Sequence, residues 1–227
     1  MASLSPSELV HVFFHEGMLN HNIGTGVFDT LNNPGFLEIL DKHPENPDRV
    51  KNMVSILKRH PISPHMAWHQ GRPAQTLELL SFHTPGTILN PSSWDVVLIA
   101  ASTTLSAMKH IIDGHGKIAY SSVRPPGHHA QPTRADGYCF INNAGLEVQL
   151  ASDSCCERVA VIDIDVHYGN GTAEGFYRTN KVLTISFHMN HGSWGPSYLQ
   201  SGTVDELGER EGYGFNLNVM LPNGTGD

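Results

Sequence analysis

A chain of 227 residues with 39% apolar and 16% charged residues has the makeup of one folded domain, and it is too balanced for disorder, collagen or a coiled coil. Its formal charge of -8, with no Lys/Arg cluster, argues against a phosphate-binding stripe for nucleic acid and would suit a basic substrate. The three cysteines (Cys139, Cys155 and Cys156) make neither a disulfide framework nor a C-x-x-C metal pair, which predicts reduced thiols in an intracellular compartment.

The start, MASLSPSELVHVFF, lacks the basic region and long apolar stretch of a secretory signal, and no apolar run reads as long enough to span a bilayer. Residues 9–15, LVHVFFH, predict a first strand, followed by a glycine-containing loop. The segment KHPENPDRVKNMVSILKRH predicts a turn and then a helix, with Asp48 as N-cap and Val50, Val54 and Leu57 along one face. From Trp94 to Gly114 the positions Val97, Ala101, Leu105, Met108 and Ile112 keep helical spacing, with Ser92 and Asp95 as a capping box and Gly114 as the stop. Residues 117–123, KIAYSSV, predict a buried strand running into RPPGHHA, where two prolines end the strand and Gly127 permits a tight turn. A short helix over about 143–153 then leads into a second apolar strand, and VLTISFH, residues 182–188, predicts a third. The alternation is βαβ-like, so neighbouring parallel strands would deliver their carboxyl-end loops to one rim.

The chemistry concentrates in VAVIDIDVHYGNGT, residues 159–172. Its first half predicts a buried strand of a parallel sheet. Side chains alternate along a strand, so Asp163, Asp165 and His167 would share one side, with Ile162, Ile164 and Val166 on the other. Two carboxylates and an imidazole at a strand's carboxyl end lie where open α/β sheets keep their active sites. Desolvating two carboxylates together is costly without a cation, and a mixed His/Asp set suits zinc or a similar divalent ion. Taken alone, D-x-D-x-H could also be a solvated strand end that caps the next helix. The fifteen histidines are the one compositional oddity, and the ordinary reading for most is a scattered surface position.

A metal held by Asp165 and His167 beside His128 and His129 could polarise a carbonyl while an imidazole moves a proton to a leaving nitrogen. Asp163 and Asn170 are candidates to fix the histidine tautomers, and Gly169 and Gly171 let backbone run close to the site. The implied reaction class is metal-assisted hydrolysis of an amide or related C–N bond.

Together, RPPGHHA, GYCFINNAG, DIDVHYGNGT and VLTISFH resemble the zinc-dependent histone deacetylase family, in register from about residue 9 to 227. The asparagine of GNGT and the segment HPENPDR resemble its class II branch. The resemblance implies a single deacetylase-like domain over 1–227 with the arginase/deacetylase α/β fold, a mostly parallel central sheet flanked by helices, incomplete at its C-terminus. It implies Asp165 and His167 as ligands of one Zn2+ per subunit. His128 and His129 become the paired general base and acid, supported by Asp163 and Asn170. It further implies a monovalent-cation (K+) site using Asp163, Ser186 and the carbonyls of Asp165, His167 and Phe187. Gly137, Tyr138 and Trp194 would contact the acyl-lysine chain, the two aromatics as tunnel walls, and Arg49 would line an inner channel. The substrate would be an acetyl-lysine of a histone or other protein, or a small acetylamide, in the nucleus or cytoplasm, without direct nucleic-acid or membrane binding.

Three departures from the family pattern stand out. Tyr168 replaces a second histidine after the ligand, and no Asp lies between His83 and Trp94 to hold a substrate backbone. The family's third zinc-ligand aspartate and its transition-state tyrosine fall beyond Asp227. The expectation is therefore a truncated chain, weakly active or inactive by itself, with apolar surface open to association. The competing readings are a two-metal ureohydrolase of the same fold, an acetylpolyamine amidohydrolase, and a non-catalytic binding module.

Overall fold

The computed structural model describes residues 8–21, 45–84, 91–190, 201–222 and 224–226. They fall into two compact units, Met1–Gln75 with Leu89–Pro125, and Thr76–Ile88 with Pro126–Asp227.

In the first unit, β1 (Val10–Phe13) lies between β2 (Met66–His69) and β3 (Ile118–Ser121), all parallel. Helix α1 (Pro47–Arg59) is capped by Asn46, whose side chain accepts from the Asp48 amide at 3.0 Å. The cap therefore lies two residues before the expected Asp48. Pro47, which has no N–H to leave unsatisfied, takes the first helical position. Val50 and Val54 are buried as the spacing requires.

Helix α3 (Pro91–Ile112) buries Val97, Ala101 and Leu105 and packs against β1 and β3. It is followed by Gly114 in left-handed backbone, φ 75°. The expected Ser92 cap falls on a side chain outside the described set. Contrary to expectation, one segment, Trp94–Ile112, is long and apolar enough to cross a bilayer by length and composition, although half of it is buried inside the fold. Its buried Ser102, Thr103 and Thr104 hydroxyls return to helix carbonyls, as in a core helix. Beside it, Met18, Val96 and Ala100 form an apolar cluster with Phe14, Ile99 and Val123. Arg124, fully buried, pairs with Glu45 at 3.0 Å and donates to the carbonyls of Met18 and His21. Strand β3 is not the buried strand its residues predict, for Ile118 is 60% exposed.

In the second unit, β4 (Val159–Asp163), β5 (Val182–Met189) and β6 (Asn216–Leu221) form a parallel sheet in that order. Helix α2 (Thr76–Leu79), α4 (Asn143–Ser154) and α5 (Asn170–Phe176) complete it, and Val148, Phe176 and Val182 pack with Phe82, Val159 and Val161. Among the described residues β4 has β5 as its one neighbour and ends at Asp163, so residues 164–167 lie beyond the strand. Ile162 and Ile164 are 63% and 81% exposed, the reverse of the predicted burial. Parallel sheets flanked by helices match the predicted class, while β3 neighbours β1 and β4 neighbours β5. Strand β6 had no counterpart in the sequence reading. All three cysteines are free, and burial pushes the Cys139 thiol up to about 12.

Candidate active site

The twin histidines stand on a loop that backbone contacts hold in place. A Cβ on Gly127 would press on the Asn143 amide and the Ile141 carbonyl, and one on Gly171 would overlap the Ala130 backbone. Only glycine permits so close an approach at these two points. The Thr172 amide donates to the His128 carbonyl at 3.1 Å. Asn142, fully buried, donates to the Ala130 carbonyl and the Thr172 hydroxyl and accepts from the Gly145 amide, tying the loop to the starts of α4 and α5.

His128 Nδ1 lies 2.9 Å from Asp163 Oδ2, and Asp163 Oδ1 accepts from the Asp165 amide at 3.0 Å. Burial opposes the charge on Asp163, but the His128 hydrogen bond, the His128 charge and the Asp165 amide together outweigh it and hold the carboxyl below its ordinary range. An ionised Asp163 can only accept, so the proton of neutral His128 sits on Nδ1 and Nε2 keeps its lone pair.

His129 Nδ1 lies 2.7 Å from Asn170 Oδ1, and Asn170 Nδ2 donates to Asp136 Oδ2 at 3.2 Å. That second bond fixes the amide's orientation, since only its nitrogen can donate to a carboxylate. His129 therefore also carries its proton on Nδ1. Burial first, then the charge of His128, lowers the His129 pKa, while Asn170 works the other way. The two rings are 3.9 Å apart between centroids. Asp136 was missed from the sequence, because its acid reaches the histidine only through an amide 34 residues away.

Asp165 and His167 meet at 3.0 Å, Oδ1 to Nδ1, and His128 Nε2 is 3.8 Å from the same oxygen. The His167 amide also donates to Asp165 Oδ1, so two successive Asx turns shape this segment. A carboxylate oxygen and an imidazole nitrogen converging with side chains about half exposed are donor types suited to a divalent ion, and this pair fits as two of its ligands.

Ser186 pairs with Asp163 across β4 and β5, and its hydroxyl is 2.9 Å from Nδ1 of fully buried His188. His188 Nε2 in turn donates to the Gly202 carbonyl, so Ser186 is the donor of its pair. Gly137 turns at φ 50° against the His129 ring, where a Cβ would overlap it. Tyr138 follows at φ 64° and is 52% exposed. Tyr168 is buried, lies tilted against the His188 ring at 4.9 Å and has its pKa raised to about 12 by burial. In the first unit Arg49 binds the Val123 carbonyl and pairs with Glu45. Trp194 lies outside the described residues.

Residues 84–227 match the histone deacetylase domain family. The chain is 62% identical over 239 residues to histone deacetylase 8 of Arabidopsis thaliana, covering 96% of this chain and 63% of that protein. It is 34% identical over 206 residues to a histone deacetylase-like amidohydrolase of Pseudomonas aeruginosa, covering 82% of this chain and 53% of that protein. Among solved structures, the crystal structure of the HDA15 HD domain superposes with a TM-score of 0.78 at 30% identity, over 95% of this chain and 62% of that one. The chain thus spans less than two thirds of the length of each of these relatives.

Proposed function

This chain belongs to the histone deacetylase family, and from that premise we propose that it carries proton-transfer and metal-binding residues of an enzyme that hydrolyses the acetyl-lysine amide of proteins. The observation that carries the proposal is the pair of adjacent imidazoles, His128 and His129, each with an oxygen behind Nδ1. In this reading Asp165 and His167 hold Zn2+, which when bound would act as a Lewis acid toward the amide carbonyl. His128 Nε2 takes the proton of the attacking water, with Asp163 stabilising the imidazolium that results. The Nδ1 proton of His129 stays with Asn170, whose amide and Asp136 set the ring orientation. His129 therefore acts as the acid after its Nε2 takes a proton from solvent and passes it to the departing lysine nitrogen, while His128 gives the water's proton back to solvent. Tyr138 and Gly137 flank the acyl chain, and Asp163 with Ser186 is the proposed place for K+. We read 1–227 as belonging to one catalytic domain acting in the nucleus or cytoplasm.

The test is acetate release from an acetyl-lysine peptide and from an acetylpolyamine, with zinc content measured on the same preparation. Release from the peptide, abolished in Asp165→Ala, supports the proposal. Release from the polyamine alone moves the substrate to small amides. Peptide binding with neither zinc nor acetate release leaves a binding module and sinks the hydrolase.

A further inference from the structure

The first unit contains a second group of histidines that this mechanism does not use. His11 lies on β1, His69 closes β2 and His110 sits in the last turn of α3. Parallel register pairs His11 with Ala67 and Phe13 with His69, so alternation puts His11 and Phe13 on one face with Ala67 and His69. His11 Nδ1 and His69 Nε2 are 2.9 Å apart, and one nitrogen from each of the three rings lies within 4.8 Å of the others. Ring centroids are separated by 5.1, 4.2 and 4.9 Å.

Two further features mark the cluster as a receptor for something. His110 Nε2 is buried and has no hydrogen-bond partner among the described residues. Gly116 closes over the His11 ring so tightly that a Cβ there would come within 2.5 Å of Cδ2. Phe13 stacks on His69 at 4.7 Å and meets His110 edge-on, giving the group an apolar wall. Asp113, the acid nearest in sequence to His110, is engaged by Lys109 at 2.9 Å.

We propose that His11, His69 and His110 form a three-imidazole site for a divalent late first-row metal, with Zn2+ as the first candidate. One shared proton can satisfy the His11–His69 pair, but it leaves His110 Nε2 desolvated without return. A metal ion takes one lone pair from each ring at once. With Zn–N bonds of about 2.0–2.1 Å, tetrahedral nitrogens sit roughly 3.3 Å apart. The close pair would open by a few tenths of an ångström and His110 would move inward, both within reach of side-chain rotation. Burial and mutual repulsion lower the pKa values of His69 and His110, which keeps them in the neutral form that ligates. Bound metal would pin β1, β2 and α3 to one point.

The experiment uses the full chain carrying Asp165→Ala and His167→Ala, so that the other donor pair contributes nothing. After chelator treatment, equilibrium dialysis against Co2+ should return one equivalent with tetrahedral visible bands, and His110→Gln with His69→Gln should remove it. Because those replacements could unfold the unit, the imidazole 15N resonances of the unsubstituted cluster provide a second readout. Shifts of all three rings at one equivalent of Zn2+ support the site. No retained Co2+, or resonances indifferent to Zn2+, would overturn it and leave a purely packed histidine cluster.

Discussion

In the second unit each histidine of the candidate site leans on an oxygen: His128 on Asp163, His129 on Asn170 and through it Asp136, His167 on Asp165. In the first unit His11, His69 and His110 lean on one another and on Phe13. An oxygen behind Nδ1 fixes the proton there, keeps Nε2 basic and stabilises the ring when it charges. At His69 and His110, burial and the neighbouring rings lower the pKa and so favour the neutral form. The same side chain is thus backed by oxygen in one unit and by other rings in the other. The first unit does bury an acid, Glu45, but directs it to Arg124 rather than to the histidines.

Substitutions can break this contrast, beginning with the largest effect. His129→Ala should lower kcat for acetate release by about 10²–10⁴-fold, while Co2+ binding by the first unit's cluster stays unchanged. Arg124→Met removes the 3.0 Å pair of buried Glu45 and leaves it the longer contact to Arg49, and urea unfolding should show a loss of up to about 3–5 kcal/mol. Asp163→Asn keeps the shape but removes the charge behind His128, and should cost about 10–100-fold in kcat with an altered pH profile. Asp136→Asn acts one bond further away and should cost less than Asp163→Asn.

The smallest effect is on stability against pH. For His69 and His110 the folded pKa lies below the ordinary 6.5, so the unfolded chain binds more protons between the two values. Their contribution is complete above pH 6.5 and is lost as pH falls through the folded values, and His129 acts in the same direction. Asp163, depressed from 3.8, withholds its loss until far more acid conditions. The melting temperature should fall on acidification below pH 6.5. His69→Gln with His110→Gln should flatten that slope if the cluster is its source.

What could be read from the sequence followed the range of the interactions. The strands around residues 10, 118, 159 and 182 and the helix after Trp94 came from local apolar patterns, which period and turn residues encode directly. The meeting of His128 and His129 with Asp163 and Asn170 was legible because the histidines follow a proline turn, Asp163 closes an apolar strand and Asn170 lies in the glycine-flanked segment after it. Burial was less so: VAVIDI reads as interior, but among the described residues β4 has one neighbouring strand, and Ile162 on it and Ile164 just past it are exposed. The cap at Asn46 went to Asp48 because both residue types cap well and only Pro47 decides between them. The first unit's histidines were invisible, since His11 and His69 are 58 positions apart and each alone looks like an ordinary strand residue.

The two glycines that admit the backbone of the histidine loop have a consequence for motion. With the Ala130 carbonyl held by Asn142 and the His128 carbonyl by Thr172, the loop cannot lift away without dissolving the first turn of α5. Amide exchange at Ala130, Gly145 and Thr172 should accordingly proceed through one shared opening, as a single cooperative unit, and not by independent fraying. A pair of imidazoles mounted this way, with His128 18% exposed, meets solvent protons without that opening.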